Sequence, residues 1–197
     1  MTDVSRLREQ ILLRQATGYI ELGEMIGEPE GGLPAPSARM LVRALDTLAA
    51  LPEDARGTPQ ARLLEGEALR ALGRWQEALE PLRDVAAREP ARIEAWLGLG
   101  WCLKRLDRLG EAIDALRSGL GVAPEQAIIH YNLACYLSLA RDAATAVEHL
   151  SRAISLDGRY RDLSGAESDF DPIRHDPRFV AATHLDRKST RLNSSHA

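Results

Sequence analysis

The chain has 197 residues, 45% of them hydrophobic and 27% charged, with a net charge of −4. That is room for one domain or at most two, with the composition of a globular protein that buries a core in water. The acidic balance argues against a general affinity for nucleic acid. No run approaches the ~20 apolar residues of a membrane span, and the charged opening Met1–Gln10 lacks the apolar core of a secretory leader, so the expected compartment is the cytoplasm.

The first stretch, Ser5–Ile26, reads as a long helix. Leu12, Gln15-Ala16, Tyr19 and Leu22-Gly23 recur with the 3.6-residue period of one helical face. Gly27–Pro36 is dense in glycine and proline and is expected to be a loop. Ser37 stands where a helix cap is needed, and a second helix is predicted over Ala38–Leu51. Pro52–Thr58 is expected to be a turn.

From Pro59 to about Gly158 the sequence repeats itself every 34 residues. Ala78, Ala112 and Ala146 fall on that period, as do Gly66, Gly100 and Ala134. Leu69, Leu103 and Leu137 form another column, and Leu82, Leu116 and Leu150 a fourth. Pro90 and Pro124 close the first two units and Gly158 stands at the end of the third. Ala44-Leu45 and Leu48 sit one period before Ala78-Leu79 and Leu82, so residues 5–51 read as a divergent first unit with a loop insertion. A fixed period of this length means stacked helix pairs, each unit burying its apolar face on the next. In the middle unit the two helices are predicted over Ile93–Leu106 and from Leu109 to about Leu120. Gly100 is expected to face Ala112 where they cross. A glycine inside a helix costs about 1 kcal/mol against alanine, so small residues held at one phase indicate close helix approach.

After Leu156 the pattern changes. Residues 157–169 are polar, with short helices at best. Asp171-Pro172 and Asp176-Pro177 each combine a helix cap with a proline suited to the first helical position. Each pair is expected to start a short helix and to bury Phe170, Ile173, Phe179 and Val180 over the open end of the stack. The run from Asp186 to His196, DRKSTRLNSSH, reads residue for residue as a translated sequencing adapter. Residues 186–197 are therefore set aside from fold reasoning, expected to be disordered, and not read as a basic nucleic-acid arm.

The motif Trp96-x-x-Leu99-Gly100-x-x-Leu103, then Ala112-x-x-x-Leu116 and Pro124, resembles a tetratricopeptide repeat. The unit from Pro59 matches with Gly66, Leu69, Ala78, Leu82 and Pro90 but has Arg62 at the tryptophan position. The unit from Ala127 has His130 there, followed by Leu133-Ala134, Leu137, Ala146, Leu150 and Ala153. The segment from Asp169 to Phe179 resembles the closing cap of bacterial proteins of this family. The resemblance implies an all-α, right-handed superhelical solenoid of antiparallel helix pairs with a short helical C-terminal cap. It also implies one domain over 1–184, with repeats at 5–51, 59–92, 93–126 and 127–158 and a cap at 159–184.

The resemblance further implies that the first helix of each unit lines a concave peptide-binding groove. Carried onto this sequence, the groove positions are Gln60, Leu63, Glu67, Arg70 and Ala71, then Glu94, Leu97, Trp101, Lys104 and Arg105. The third unit supplies Ile128, Tyr131, Asn132, Cys135, Ser138 and Leu139. Trp101, Tyr131 and Leu97 are expected to form an apolar patch beside Arg70, Lys104 and Arg105. The partner expected is a protein or peptide with apolar and acidic residues, and neither nucleic acid nor membrane. Of the carboxylate clamp found in chaperone-binding members only Asn132 is present. The other readings are a non-catalytic subunit of a larger assembly and a repeat protein that associates with itself.

No chemistry stands out. There is no phosphate loop, HExxH pair, zinc-type Cys/His spacing or nucleophile elbow, so neither enzyme activity nor a cofactor is expected. Cys102 and Cys135 are expected as free thiols. Glu77 and Glu111 read as helix N-terminal charges. His130 is expected to replace the tryptophan at a packing position, and His149 lies on a different helix with no assigned role. Asp171 and Asp176 with His175 are expected to serve the cap, not a metal.

Overall fold

The computed structural model describes residues 3–25 and 33–184. Residues 27–32 of the expected loop and the adapter-like segment 186–197 lie outside the described residues. Eleven α-helices and one 3-10 turn make up the regular structure of the described residues. They are α1 (Asp3–Met25), α2 (Ala35–Ala49), α3 (Glu53–Arg56), α4 (Pro59–Ala71), α5 (Trp75–Arg88), α6 (Ile93–Arg105), α7 (Leu109–Val122), α8 (Ala127–Leu139), α9 (Ala143–Leu156), α10 (Arg159–Ala166), the 3-10 turn Ser168–Ile173, and α11 (Pro177–His184). None of these helices is long and apolar enough to cross a membrane. The fold is all-α, built of antiparallel helix pairs. Its contacts divide into two compact units, Met1–Arg108 and Leu109–Ala197, and the division falls between α6 and α7.

The 34-residue period reappears in the backbone. Gly73, Asp107 and Arg141 adopt positive φ of 75°, 58° and 61°, one at the end of the first helix in each of three successive repeats. After each, the next N–H reaches back across the helix end. Arg74 N bonds Leu69 O, Arg108 N bonds Leu103 O, and Asp142 N bonds Leu137 O, all at 2.9 Å. This is the glycine-type helix stop, which satisfies otherwise orphaned carbonyls. Asp tolerates the left-handed conformation better than most residues, whereas Arg141 adopts it against its own preference.

In the first unit α1 packs on α2 and both pack on α4, while α5 bridges α4 and α6. Ala16, Ile20, Leu41, Ala44, Leu48 and Leu64 form the core at this end, with Leu12, Leu13 and Tyr19 packed against it. The buried face of α1 thus runs through Ala16, Ile20 and Gly23. Leu22, expected on that face, is exposed together with Val4, Leu7 and Ile11. Two glycines stand in close approach to leucines of the neighbouring helix. A Cβ on Gly66 would lie 2.6 Å from Leu82 Cγ, and one on Gly23 would lie 2.8 Å from Leu41 Cγ. Leu41 and Leu82 therefore do the same work in α1–α2 and α4–α5.

Three local boundaries differ from expectation. Helix α2 begins at Ala35, with a proline in its first turn, so Ser37 is a fully buried helical residue and not a cap. Residues 52–58 contain the single turn α3, and the cap is Thr58, whose hydroxyl accepts from Ala61 N at 3.3 Å and donates to Ala55 O at 2.7 Å. In the closing segment Asp176-Pro177 does begin α11, with Asp176 Oδ1 accepting from Arg178 N at 2.8 Å. Asp171-Pro172 instead lies inside the 3-10 turn, which is capped by Glu167 accepting from Asp169 N.

In the second unit α8 pairs with α7 and α9. Its buried residues lie on nearly every side: Ile129, His130, Tyr131, Leu133, Ala134, Cys135, Tyr136, Leu137 and Ser138, as befits a helix enclosed by neighbours. The 3-10 turn packs on α8, and α10 and α11 pack on α9. Phe170, Ile173 and Phe179 are buried, whereas Val180 is exposed because it points off the outer side of the terminal helix. Arg174 stitches the cap together by donating to Gly165 O, Glu167 O and Asp171 Oδ1 at 2.7–2.9 Å.

Candidate functional site

The residues expected to line a binding face do not behave alike. Those of the first unit converge. Helix α4 carries Glu67 and Arg70 one turn apart near its C-terminus. The left-handed Gly73 then turns the chain so that Trp75 opens α5. Helix α6 brings Trp101 and Arg105, four residues apart and hence on one face, to the same place. The rings of Trp75 and Trp101 meet edge-on, centroids 6.1 Å apart at 74°. This is the favoured arrangement for two quadrupoles.

Guanidinium groups cover these rings. The Arg105 guanidinium lies 4.6 Å from the Trp75 centroid and 5.6 Å from that of Trp101, and the Arg70 guanidinium lies 5.6 Å from Trp101. All are within cation–π range. Arg70 is also held by Glu24 of α1 at 2.6 Å. Trp101 and Arg70 are half-buried and Arg105 is exposed, so the cluster forms an open surface with a rigid floor. The Trp75 indole N–H is buried without a hydrogen-bond partner.

Glu67, next to Arg70, is half-buried. Burial pushes its carboxyl above the usual range, Arg70 pulls it back, and the nearby charges of Glu24 and Glu94 raise it further. Beneath the cluster Cys102 is buried and its thiol is pushed up to about 11 by that burial, so it is chemically quiet. Leu97 and Lys104 are half-buried beside Trp101 in sequence, and Leu63 is buried in the first unit.

The residues expected from the third repeat are placed differently. Tyr131 is buried, its ring 4.7 Å from that of Tyr160 and 5.8 Å from that of Phe170. The cap covers it, and burial raises its phenol pKa. Cys135 and Ser138 are buried as well, and Asn132 spends its amide on Ile128 O of its own helix at 2.8 Å. Tyr131 is covered because the 3-10 turn of the C-terminal cap packs on α8. Sequence reasoning passed over Trp75. Its signal was the Gly73-Arg74-Trp75 turn, where a ring two residues after a left-handed glycine can fold back over the helix end.

Among the described residues no group of three or more His, Cys, Asp or Glu side chains is placed to hold a metal ion. Glu77 sits in the first turn of α5, bound to Arg74 at 2.5–2.8 Å, and Glu111 in the first turn of α7.

Residues 69–134 match the tetratricopeptide repeat family. No curated protein sequence matches the chain. Among solved structures, the chain is similar to MamA (41-end) from Desulfovibrio magneticus RS-1, at 19% identity over 92% of this chain and 97% of that one, with a TM-score of 0.62. It is also similar to TTC0263, a thermophilic TPR protein in Thermus thermophilus, at 19% identity over 94% and 95% of the two chains, with a TM-score of 0.58. At this level of identity the likeness is one of fold.

Proposed function

We propose, for a chain that carries tetratricopeptide repeats, that it is a non-catalytic protein-interaction module, and that its partner docks on the face formed by Trp75, Trp101, Arg70 and Arg105. The repeat boundaries that accompany this reading are 5–51, 59–92, 93–126 and 127–158, with a cap over 159–184. The observation that carries it is the pair of indoles packed edge to face with a guanidinium over each. Aromatic and arginine side chains held rigid at a surface supply interface anchors at low entropic cost. The rings offer an apolar floor to an aliphatic or aromatic side chain. The exposed Arg105 offers a flat fork to a carboxylate next to it. Leu97, Lys104 and Glu67 border this face in the proposal and tune what it accepts.

The test is a peptide display library selected on the full chain, followed by calorimetric titration of the enriched sequences. Selected peptides should pair an apolar residue with Asp or Glu. Trp101→Ala should weaken binding by ~2 kcal/mol or more, roughly thirtyfold, while circular dichroism stays unchanged. Arg105→Ala should mainly slow association and flatten its salt dependence. Undiminished binding by folded Trp101→Ala would rule out this face.

A further inference from the structure

His130 and His149, nineteen residues apart on α8 and α9, meet in the second unit with Nδ1 to Nδ1 at 2.9 Å. Their ring centroids are 5.2 Å apart, which is the nitrogen separation plus one ring radius at each end. The two nitrogens therefore point straight at each other. That is the geometry of a single N–H···N hydrogen bond. Two imidazoles sharing a chelated metal would converge at an angle on a point between them.

The other nitrogen of His130 settles where the proton lies. Nε2 of His130 stands 3.0 Å from Pro124 O, an acceptor only, so Nε2 carries a hydrogen and Nδ1 carries a lone pair. His149 must then donate from Nδ1. The same device exists one repeat earlier: Trp96 donates from Nε1 to Pro90 O at 2.9 Å, and Trp96 and Pro90 precede His130 and Pro124 by 34 residues. His130 thus keeps the tryptophan's bond to the proline carbonyl and adds a basic nitrogen that tryptophan lacks. The residue 34 before His149 is Ala115. The third repeat carries two histidines where the preceding one has Trp96 and Ala115.

We propose that His130 and His149 form a one-proton latch that ties α8 to α9 and to the Pro124 turn, and that opens when both rings are charged. Adding one proton to His149 Nε2 leaves the Nδ1–H···Nδ1 bond intact and makes it charge-assisted. A second proton can go only to His130 Nδ1, where it meets the His149 hydrogen head-on, so the rings must separate. His130 is buried and His149 half-buried, and burial together with His130 holds the His149 imidazole below its ordinary value. The folded unit accordingly binds fewer protons than the unfolded chain. The stability this contributes is fully present above the ordinary imidazole value of about 6.5 and is lost as pH falls through the lowered one, where His149 takes the first proton; the bridge itself opens only on the second proton.

The surrounding charges do not reverse this. Helix α8 carries no Asp, Glu, Lys or Arg. On α9, Glu148 favours a charged His149, and on α7 Arg117 opposes it, with Asp114 paired to Arg117 at 3.5 Å. Glu125 of the turn is bound to Arg152 of α9 at 2.5 Å. On the cap, Arg159, Arg174 and Arg178 pair with Asp157, Asp171 and Asp176. Arg161, Asp162, Glu167, Asp169 and His175 complete its titratable groups.

The experiment is nitrogen-15 NMR of the histidine rings in the full chain, followed from pH 7.5 to 4.5 with thermal melts at each end. At pH 7.5 His130 should be protonated on Nε2 and His149 on Nδ1. Acid should first protonate His149 with the bridge preserved, and then, on the second proton, cut the protection of α8 and α9 amides at least tenfold. The double variant His130→Trp with His149→Ala, which copies the preceding repeat, should lose that acid sensitivity while its neutral-pH melt stays close to wild type. A His149 protonated only on Nε2 at neutral pH would overturn the proposal. So would an equal acid-induced loss in the variant. If the variant does not fold, the wild-type tautomers and amide protection decide the matter alone.

Discussion

Gly66→Ala sets two forces against each other with opposite signs. Gly66 lies in the middle of α4, where alanine is intrinsically better by about 1 kcal/mol. Propensity alone therefore predicts stabilisation. The structure predicts the reverse. The added methyl would stand 2.6 and 2.7 Å from Leu82 Cγ and Cδ2, inside van der Waals contact. Leu82 has little room to retreat, since it is fully buried and also packs close against Gly98 of α6. One leucine of α5 is clamped between two glycines, so α4 must move off α5. Overpacking of this kind costs about 1–3 kcal/mol. With a locked neighbour the upper half of that range applies, and the net effect after the propensity gain is about 1–2 kcal/mol of destabilisation. The assay is urea denaturation followed by circular dichroism, with hydrogen exchange to place the loss in α4 and α5. A double-mutant cycle isolates the cause. Leu82→Ala alone should cost about 2–5 kcal/mol, and Gly66→Ala on that background should cost at least ~1 kcal/mol less than on wild type. A Gly66→Ala protein as stable as wild type, or more so, would refute the clamp.

Two further outcomes follow from the packing. Arg141→Gly relieves a side chain held at positive φ and should raise stability by about 0.5–1 kcal/mol after the entropy gained by the unfolded chain, read from the urea midpoint. Phe170→Ala removes a fully buried ring that touches Tyr131 and Phe179. It should cost about 3–5 kcal/mol and should raise exchange first in α8 and α11, leaving α1–α4 unchanged.

Much of this architecture is legible in the sequence. A helix stop needs its left-handed residue at a fixed place in each repeat, and Gly73, Asp107 and Arg141 at positive φ keep the 34-residue spacing of the sequence columns. The Asp176-Pro177 helix start and the buried Phe170 and Phe179 were readable for the same reason, because a cap and an apolar pattern act within a few residues. The misreadings of Ser37 and Asp171-Pro172 were also local. In both cases a competing start lay two to four residues earlier: a proline in the first turn of α2, and Glu167 accepting from Asp169 N before the 3-10 turn.

What no periodicity could contain is which helix covers which face. Tyr131 and Trp101 both occupy positions that the resemblance assigns to a groove, yet Tyr131 lies beneath Tyr160 and Phe170 whereas Trp101 remains at the surface under two guanidiniums. The difference comes from a cap folding back onto α8. Trp75 joined Trp101, and His149 met His130, through contacts between separate helices. Side chains on separate helices meet only when helix axes and rotations are set, and those are set by the summed packing of small and large residues such as Gly66 on Leu82. Local periodicity therefore determined the helices and their order, and interhelical packing alone decided which side chains share a site.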